Sequence, residues 1–194
     1  MQHLVTLRDN GRLRHVAACN FDRPHLEAMV DEGVPIVSNQ VQYSLLDRRP
    51  ENGMLAYAKA KGIRLATFGT VAGGLLSDRW LGAPPPTREQ LATVSLRMYF
   101  TPLNRWTGGN WDLFQKLLST LRAVADKHGT TIANVASAWV LRQLGPDGGW
   151  VILGNISQKR EMGRERGREG GRKEREGGRE RGRVGERVGG RGGG

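Results

Sequence analysis

The stretch PIVSNQVQYSLLDRRPENGMLAYAKAKGIRLATF, residues 35–68, decides the fold. Residues 35–43 concentrate Ile, Val and Tyr and read as a strand. Residues 50–61 set Met54, Leu55 and Ala58 on one side of a helix that Gly62 stops. Residues 63–68 read as a second strand. Two strands joined through a helix run parallel, because the helix returns the chain to the end from which it started, and the crossover is right-handed.

The same alternation extends in both directions. Upstream, residues 14–18 (RHVAA) read as a strand, after which Asp22 caps a helix carrying Leu26, Met29 and Val30 on one face and ending at Gly33. Downstream, a long loop leads to residues 111–128, whose Leu113, Phe114, Leu117, Leu121 and Val124 recur with a helical period closed by Gly129. Thr131 caps a further helix through Ile132, Val135, Ala136, Trp139 and Val140, and residues 150–153 (WVIL) read as a fourth strand. The fold class is therefore α/β with a parallel sheet. In such sheets ligand chemistry gathers at the C-terminal ends of the strands. Those ends carry Cys19, Asn20 and Phe21, then Gln40 and Gln42, then Phe68, Gly69 and Thr70, and finally Gly154 and Asn155. Amides, glycines and an aromatic ring suit a planar, amide-bearing, phosphorylated ligand.

Near Met162 the composition changes abruptly. Residues 163–183 use only Gly, Arg, Glu and Lys, the amino acids whose codons can be written with A and G alone, so this segment reads as a translated purine repeat. Residues 163–194 hold 11 of the 30 basic and 6 of the 19 acidic residues, and their only apolar side chains are Val184 and Val188. They bury too little to offset their ordering entropy, and a disordered tail is expected there. The expected organisation is thus a partial domain over residues 1–162 and a low-complexity tail over 163–194. The lone Cys19 excludes an internal disulfide framework, the histidines have no metal-site spacing, and no apolar run is long enough to span a bilayer. A cytoplasmic protein without a membrane partner is expected.

GRLRHVAACNFD, VPIVSNQVQYSLLDRRP, FGTVAGGLLSDRWLG and WDLFQKLLSTLRAVADKHGTTIANVASAWVLRQ strongly resemble the C-terminal half of the aldo/keto reductases. That resemblance covers about residues 3–162 and implies strands five to eight of a (β/α)8 TIM barrel that serves NADP(H)-dependent reduction of small carbonyl substrates. It places Asn20 and Gln40 where side-chain amides hold the nicotinamide carboxamide, and Phe68 where an aromatic ring stacks on the nicotinamide. Phe68 keeps the stacking surface but lacks a hydroxyl often present there. The loop from Gly69 to Ser77 corresponds to the turn that meets the pyrophosphate, with Gly73 permitting close approach. Gly154, Ser157 and Lys159 correspond to the segment at the adenosine ribose and 2′-phosphate.

The resemblance also implies an absence. The family's Asp, Tyr, Lys and His tetrad belongs to the preceding strand units, and none of Tyr43, Tyr57 or Tyr99 matches its tyrosine motif. No catalytic residue is therefore assigned, and this chain alone is expected to be inactive, with a partner covering its open barrel edges. One alternative is a non-catalytic nicotinamide-binding or regulatory module. Another is RNA association through the Arg/Gly tail, against which six glutamates offset eleven basic charges and no aromatic residue is present to stack a base.

Overall fold

The computed structural model describes residues 2–154. The chain divides into two units, Met1–Leu153 and Gly154–Gly194. The expected tail, Ser157 and Lys159 lie outside the described residues.

The first unit runs α1 (Gln2–Asp9), β1 (Val16–Cys19), α2 (Arg23–Asp31), β2 (Ile36–Gln42), α3 (Met54–Lys61), β3 (Arg64–Phe68), α4 (Val94–Trp106), α5 (Trp111–Lys127), α6 (Ile132–Leu144) and β4 (Gly149–Val151). The four strands form one parallel sheet in the order β1-β2-β3-β4. Side-chain caps fix the helix starts: Asp22 accepts from the N–H of His25, Thr93 from Leu96, Asn110 from Leu113 and Thr131 from Asn134. Each cap satisfies a backbone donor that the helix itself leaves unpaired, for about 1 kcal/mol.

Alternation along the strands sorts their side chains into two faces. Val16, Ala18, Asn39, Val41, Leu65 and Thr67 are buried on one face. On the other, Trp150 and Ile152 are each more than 40% exposed, while the exposed Val37 sits at a register shift near the start of β2 that takes it out of the alternation. One apolar core joins the sheet to α2, α3 and the end of α6 through Leu26, Met29, Ala58, Val140 and Leu144. A second joins α4, α5 and α6 to residues 72–80 through Leu75, Trp80, Leu103, Phe114, Leu118 and Ala136.

Three sequence expectations are corrected. The helix expected over residues 50–61 is interrupted: a short 3-10 turn spans Arg49–Glu51, Gly53 takes φ +88°, and α3 begins only at Met54. The long loop contains α4, whose Leu96, Tyr99, Phe100 and Leu103 have helical spacing masked in the sequence by the exposed Val94, Met98 and Trp106 and by an internal Pro102. In α5 the buried stripe is Phe114, Leu118, Leu121 and Ala125, while Leu113 and Val124 are exposed. That helix carries two overlapping apolar stripes, and contact with the loop before it selects one.

Candidate functional site

The C-terminal ends of β1, β2 and β3 bring three of the expected residues to one edge of the sheet. Cys19 is the cross-strand partner of Gln40, and the Asn20 N–H donates to the Gln40 carbonyl at 2.8 Å. Two residues further along β2, Gln42 is the partner of Phe68, and the Tyr43 N–H donates to the Phe68 carbonyl at 3.1 Å. Gln40, Gln42 and Phe68 therefore line one sheet face, with Asn20 at its rim. Gln42 belongs to this group but was not singled out as a site residue; its alternation with Gln40 is the signal that could have found it.

Asn20 has φ +59°, a left-handed conformation that asparagine tolerates better than most residues. It is held there from below. Asn39 is fully buried on the opposite face, and its Nδ2 donates to the Phe21 carbonyl at 2.9 Å, tying the turn after β1 to β2. Cys19, beside Asn20, is a free and exposed thiol.

Below the end of β2 lies a polar cluster. Ser44 Oγ accepts from the N–H groups of Leu46 and Asp47, and the buried Asp47 carboxylate pairs with Arg49 at 2.6 Å. Tyr43 is wholly buried and donates its hydroxyl to Glu51 at 3.0 Å, while Arg48 holds the same carboxylate and lies over the Trp139 ring. Burial, followed by the hydrogen bond to Glu51, pushes the Tyr43 phenol well above its usual range, so it retains its proton.

Beyond β3 the chain makes a tight turn in which Gly69, Ala72, Gly73 and Gly74 all have positive φ. Ala72, at φ +49°, is strained for a residue with a Cβ, by about 1–2 kcal/mol. Thr70 is 1% exposed and its Oγ1 has no hydrogen-bond partner. Gly74 faces open space, so a ligand can approach its backbone closely; Gly73 instead has its Cα face filled by Ser95 and Tyr99 of α4. A strained turn with an unsatisfied buried hydroxyl, beside two exposed amides and an aromatic ring, fits the nicotinamide and pyrophosphate of the implied cofactor in the chemistry of its donors.

Downstream contacts anchor this loop. Ser77 Oγ and Trp80 Nε1 donate to the Gly74 carbonyl, and Gln115 bridges the Gly82 N–H and the Trp80 carbonyl. Asp78 binds Arg122 and the N–H of Ile132, linking the loop to α5 and α6. Partial burial raises the Asp78 pKa, but the Arg122 and Ile132 hydrogen bonds outweigh it and hold the carboxyl below its usual value. A groove of about 270 Å³, lined by Leu55, Lys59, Arg142 and Gly148, lies at the N-terminal ends of β3 and β4, away from this site. Gly154 is exposed and begins the second unit. Among the described residues no cluster of His, Cys, Asp or Glu could hold a metal, and no helix is long and apolar enough to cross a membrane.

Comparison with known proteins matches residues 1–161 to the model of the aldo/keto reductase family. The chain is 33% identical over 137 residues to flagellar radial spoke protein 5 of Chlamydomonas reinhardtii, covering 70% of this chain and 25% of that protein. It is 27% identical over 143 residues to the chloroplastic pyridoxal reductase of Arabidopsis thaliana, covering 71% and 36%. Among solved structures, the fold resembles the glycerol dehydrogenase AKR11B4 from Gluconobacter oxydans, with a TM-score of 0.60, 21% identity and coverage of 77% of this chain and 43% of that one. It also resembles the thermostable aldo-keto reductase Tm1743, solved with the inhibitor epalrestat, with a TM-score of 0.54, 24% identity and coverage of 82% and 45%. The chain thus spans between a quarter and a half of the length of these relatives, and its parallel sheet corresponds to part of their barrel.

Proposed function

This chain belongs to the aldo/keto reductase family of oxidoreductases, and on that premise we propose that it forms the nicotinamide-holding arc of an NADP(H)-dependent carbonyl reductase and by itself binds cofactor without turnover. The observation that carries this reading is the meeting of Asn20, Gln40, Gln42 and Phe68 at one sheet edge beside the strained loop. The bound cofactor would supply the hydride. An amide donates and accepts at once, so the side chains of Asn20 and Gln40 match a carboxamide. Phe68 offers a face to the nicotinamide ring, and Gly74 leaves room for the pyrophosphate. The family resemblance alone assigns Gly154, Ser157 and Lys159 to the ribose and its 2′-phosphate.

A carbonyl reduction also needs a proton donor. Tyr43 is an unsuitable acid, being buried away from the sheet's open face with its proton committed to Glu51. That geometry of Tyr43, together with the lack of a match to the tetrad's tyrosine motif, supports the expectation that the chain by itself does not turn over. A cytoplasmic setting with reduced thiols suits the exposed Cys19.

Fluorescence titration with NADPH, followed by absorbance assay with a model aldehyde, tests the reading. We expect micromolar binding, no turnover, and about tenfold weaker binding in Gln40→Ala, the loss of roughly one hydrogen bond to the ligand. Unchanged affinity in that variant would remove Gln40 from the site. The second reading, a non-catalytic docking module whose partner covers the sheet, is favoured by the 33% identity to a radial spoke protein.

A further inference from the structure

The glycines of the phosphate loop are shaped by an aromatic ring on α4. A Cβ at Gly69 would lie 2.8 Å from both Cε1 and Cζ of Tyr99, and still closer to its hydroxyl. A Cβ at Gly73 would lie 2.8 Å from Tyr99 Cδ2 and from the Ser95 carbonyl oxygen. Real Cβ atoms are not found so close to other heavy atoms: at Gly73 the Ser95 backbone leaves no room for one, and at Gly69 the end of the Tyr99 side chain would have to move. The ring reaches both left-handed residues, at φ +70° and +64°, and between them lie the orphaned Thr70 hydroxyl and the strained Ala72. A turn of this kind persists only where its surroundings hold it. The supporting helix is itself fixed, by the Thr93 cap at one end and by burial of Leu96 and Leu103 against the second core.

We propose that Tyr99 is a positioning residue for cofactor binding: its ring is the template that keeps residues 69–74 in the shape that receives the pyrophosphate. This rests on the nicotinamide reading of the site and assigns a role to a helix outside the residues carried over from the family. Ring carbons reach both glycines, Cε1 and Cζ at Gly69 and Cδ2 at Gly73, whereas the hydroxyl reaches Gly69 alone and has no hydrogen bond among the described residues.

The test uses the full chain in four forms: wild type, Tyr99→Phe, Tyr99→Leu and Tyr99→Ala. Hydrogen exchange is followed at the amides of residues 70–76, and NADPH affinity is read by fluorescence. Tyr99→Leu keeps an apolar contact for α4 should Tyr99→Ala fail to fold, and circular dichroism confirms the helices in each. We expect Tyr99→Leu and Tyr99→Ala to exchange about tenfold faster in this segment and to bind NADPH about tenfold more weakly. Tyr99→Phe should restore both. Wild-type binding with unchanged affinity in folded Tyr99→Leu would overturn the positioning role while leaving the cofactor reading intact. Failure of the wild type to bind NADPH would overturn both.

Discussion

Asn39 and Gln40 are adjacent amides with opposite tasks. Gln40 is exposed on the open face, whereas Asn39 is buried and holds the Phe21 carbonyl, and with it the turn that carries Asn20. Asn39→Ala should therefore lower stability by about 1–3 kcal/mol in denaturant unfolding, since it leaves a carbonyl without its donor, and should weaken NADPH binding through Asn20. An effect on stability alone would detach Asn39 from the site. Asp78 provides a pH-dependent counterpart. Its pKa is lower in the folded chain than the ordinary 3.8, so its contribution is fully present above that value and is lost as pH falls through the folded value. Thermal melts between neutral pH and pH ~3 should show a flatter acid decline in Asp78→Asn than in the wild type. Parallel curves would mean that the Arg122 and Ile132 contacts contribute nothing that titrates. At this scale the strand-end positions of Asn20, Gln40 and Phe68 were legible from the alternation of strands and helices, while the roles given to them came from the family resemblance. Asn39 was not, because a one-residue difference in register decides which of two neighbouring amides enters the core.

The elements were legible wherever one apolar stripe stood alone and a capping residue preceded it. Asp22 before α2 and Thr131 before α6 gave starts that the structure keeps. In α5 the sequence period was plain but its phase was not, since Leu113, Leu117 and Val124 form as regular a stripe as Phe114, Leu118 and Ala125. What settles the phase is tertiary: Trp111 Nε1 donates to the Ala83 carbonyl and Gln115 clamps the turn at Trp80, and these two contacts turn Phe114 inward. Phe114→Ala should accordingly cost about 3–5 kcal/mol in urea unfolding, while Leu113→Ala, at 51% exposure, should change stability by less than about 0.5 kcal/mol. Equal losses would mean that the helix sits in the other phase. The helix α4 stayed illegible because Pro102 reads as a breaker, although it is tolerated where Thr93 caps the start and Leu96 and Leu103 bury the inner face.

Across the whole sheet, one face is packed by helices and the other presents Trp150 and Ile152 together with the amides of the candidate site. The strands at its two margins, β1 and β4, each pair with one neighbour only among the described residues. A parallel sheet is normally covered on both faces and leaves no margin when closed into a barrel. Exposed apolar surface joined to unpaired strand edges favours association, and the net charge of +11 resists it through repulsion that salt screens. The chain should therefore self-associate increasingly as salt is raised in sedimentation velocity runs, contrary to an assembly held by surface ion pairs. Trp150→Lys and Ile152→Lys place charge on the open face without disturbing the buried one, and the double variant should remain monomeric at salt concentrations where the wild type associates. It should also stop binding the hydrophobic dye ANS. If the double variant associates as the wild type does, the open face is not the adhesive surface, and the docking-module reading loses the structural feature that supports it.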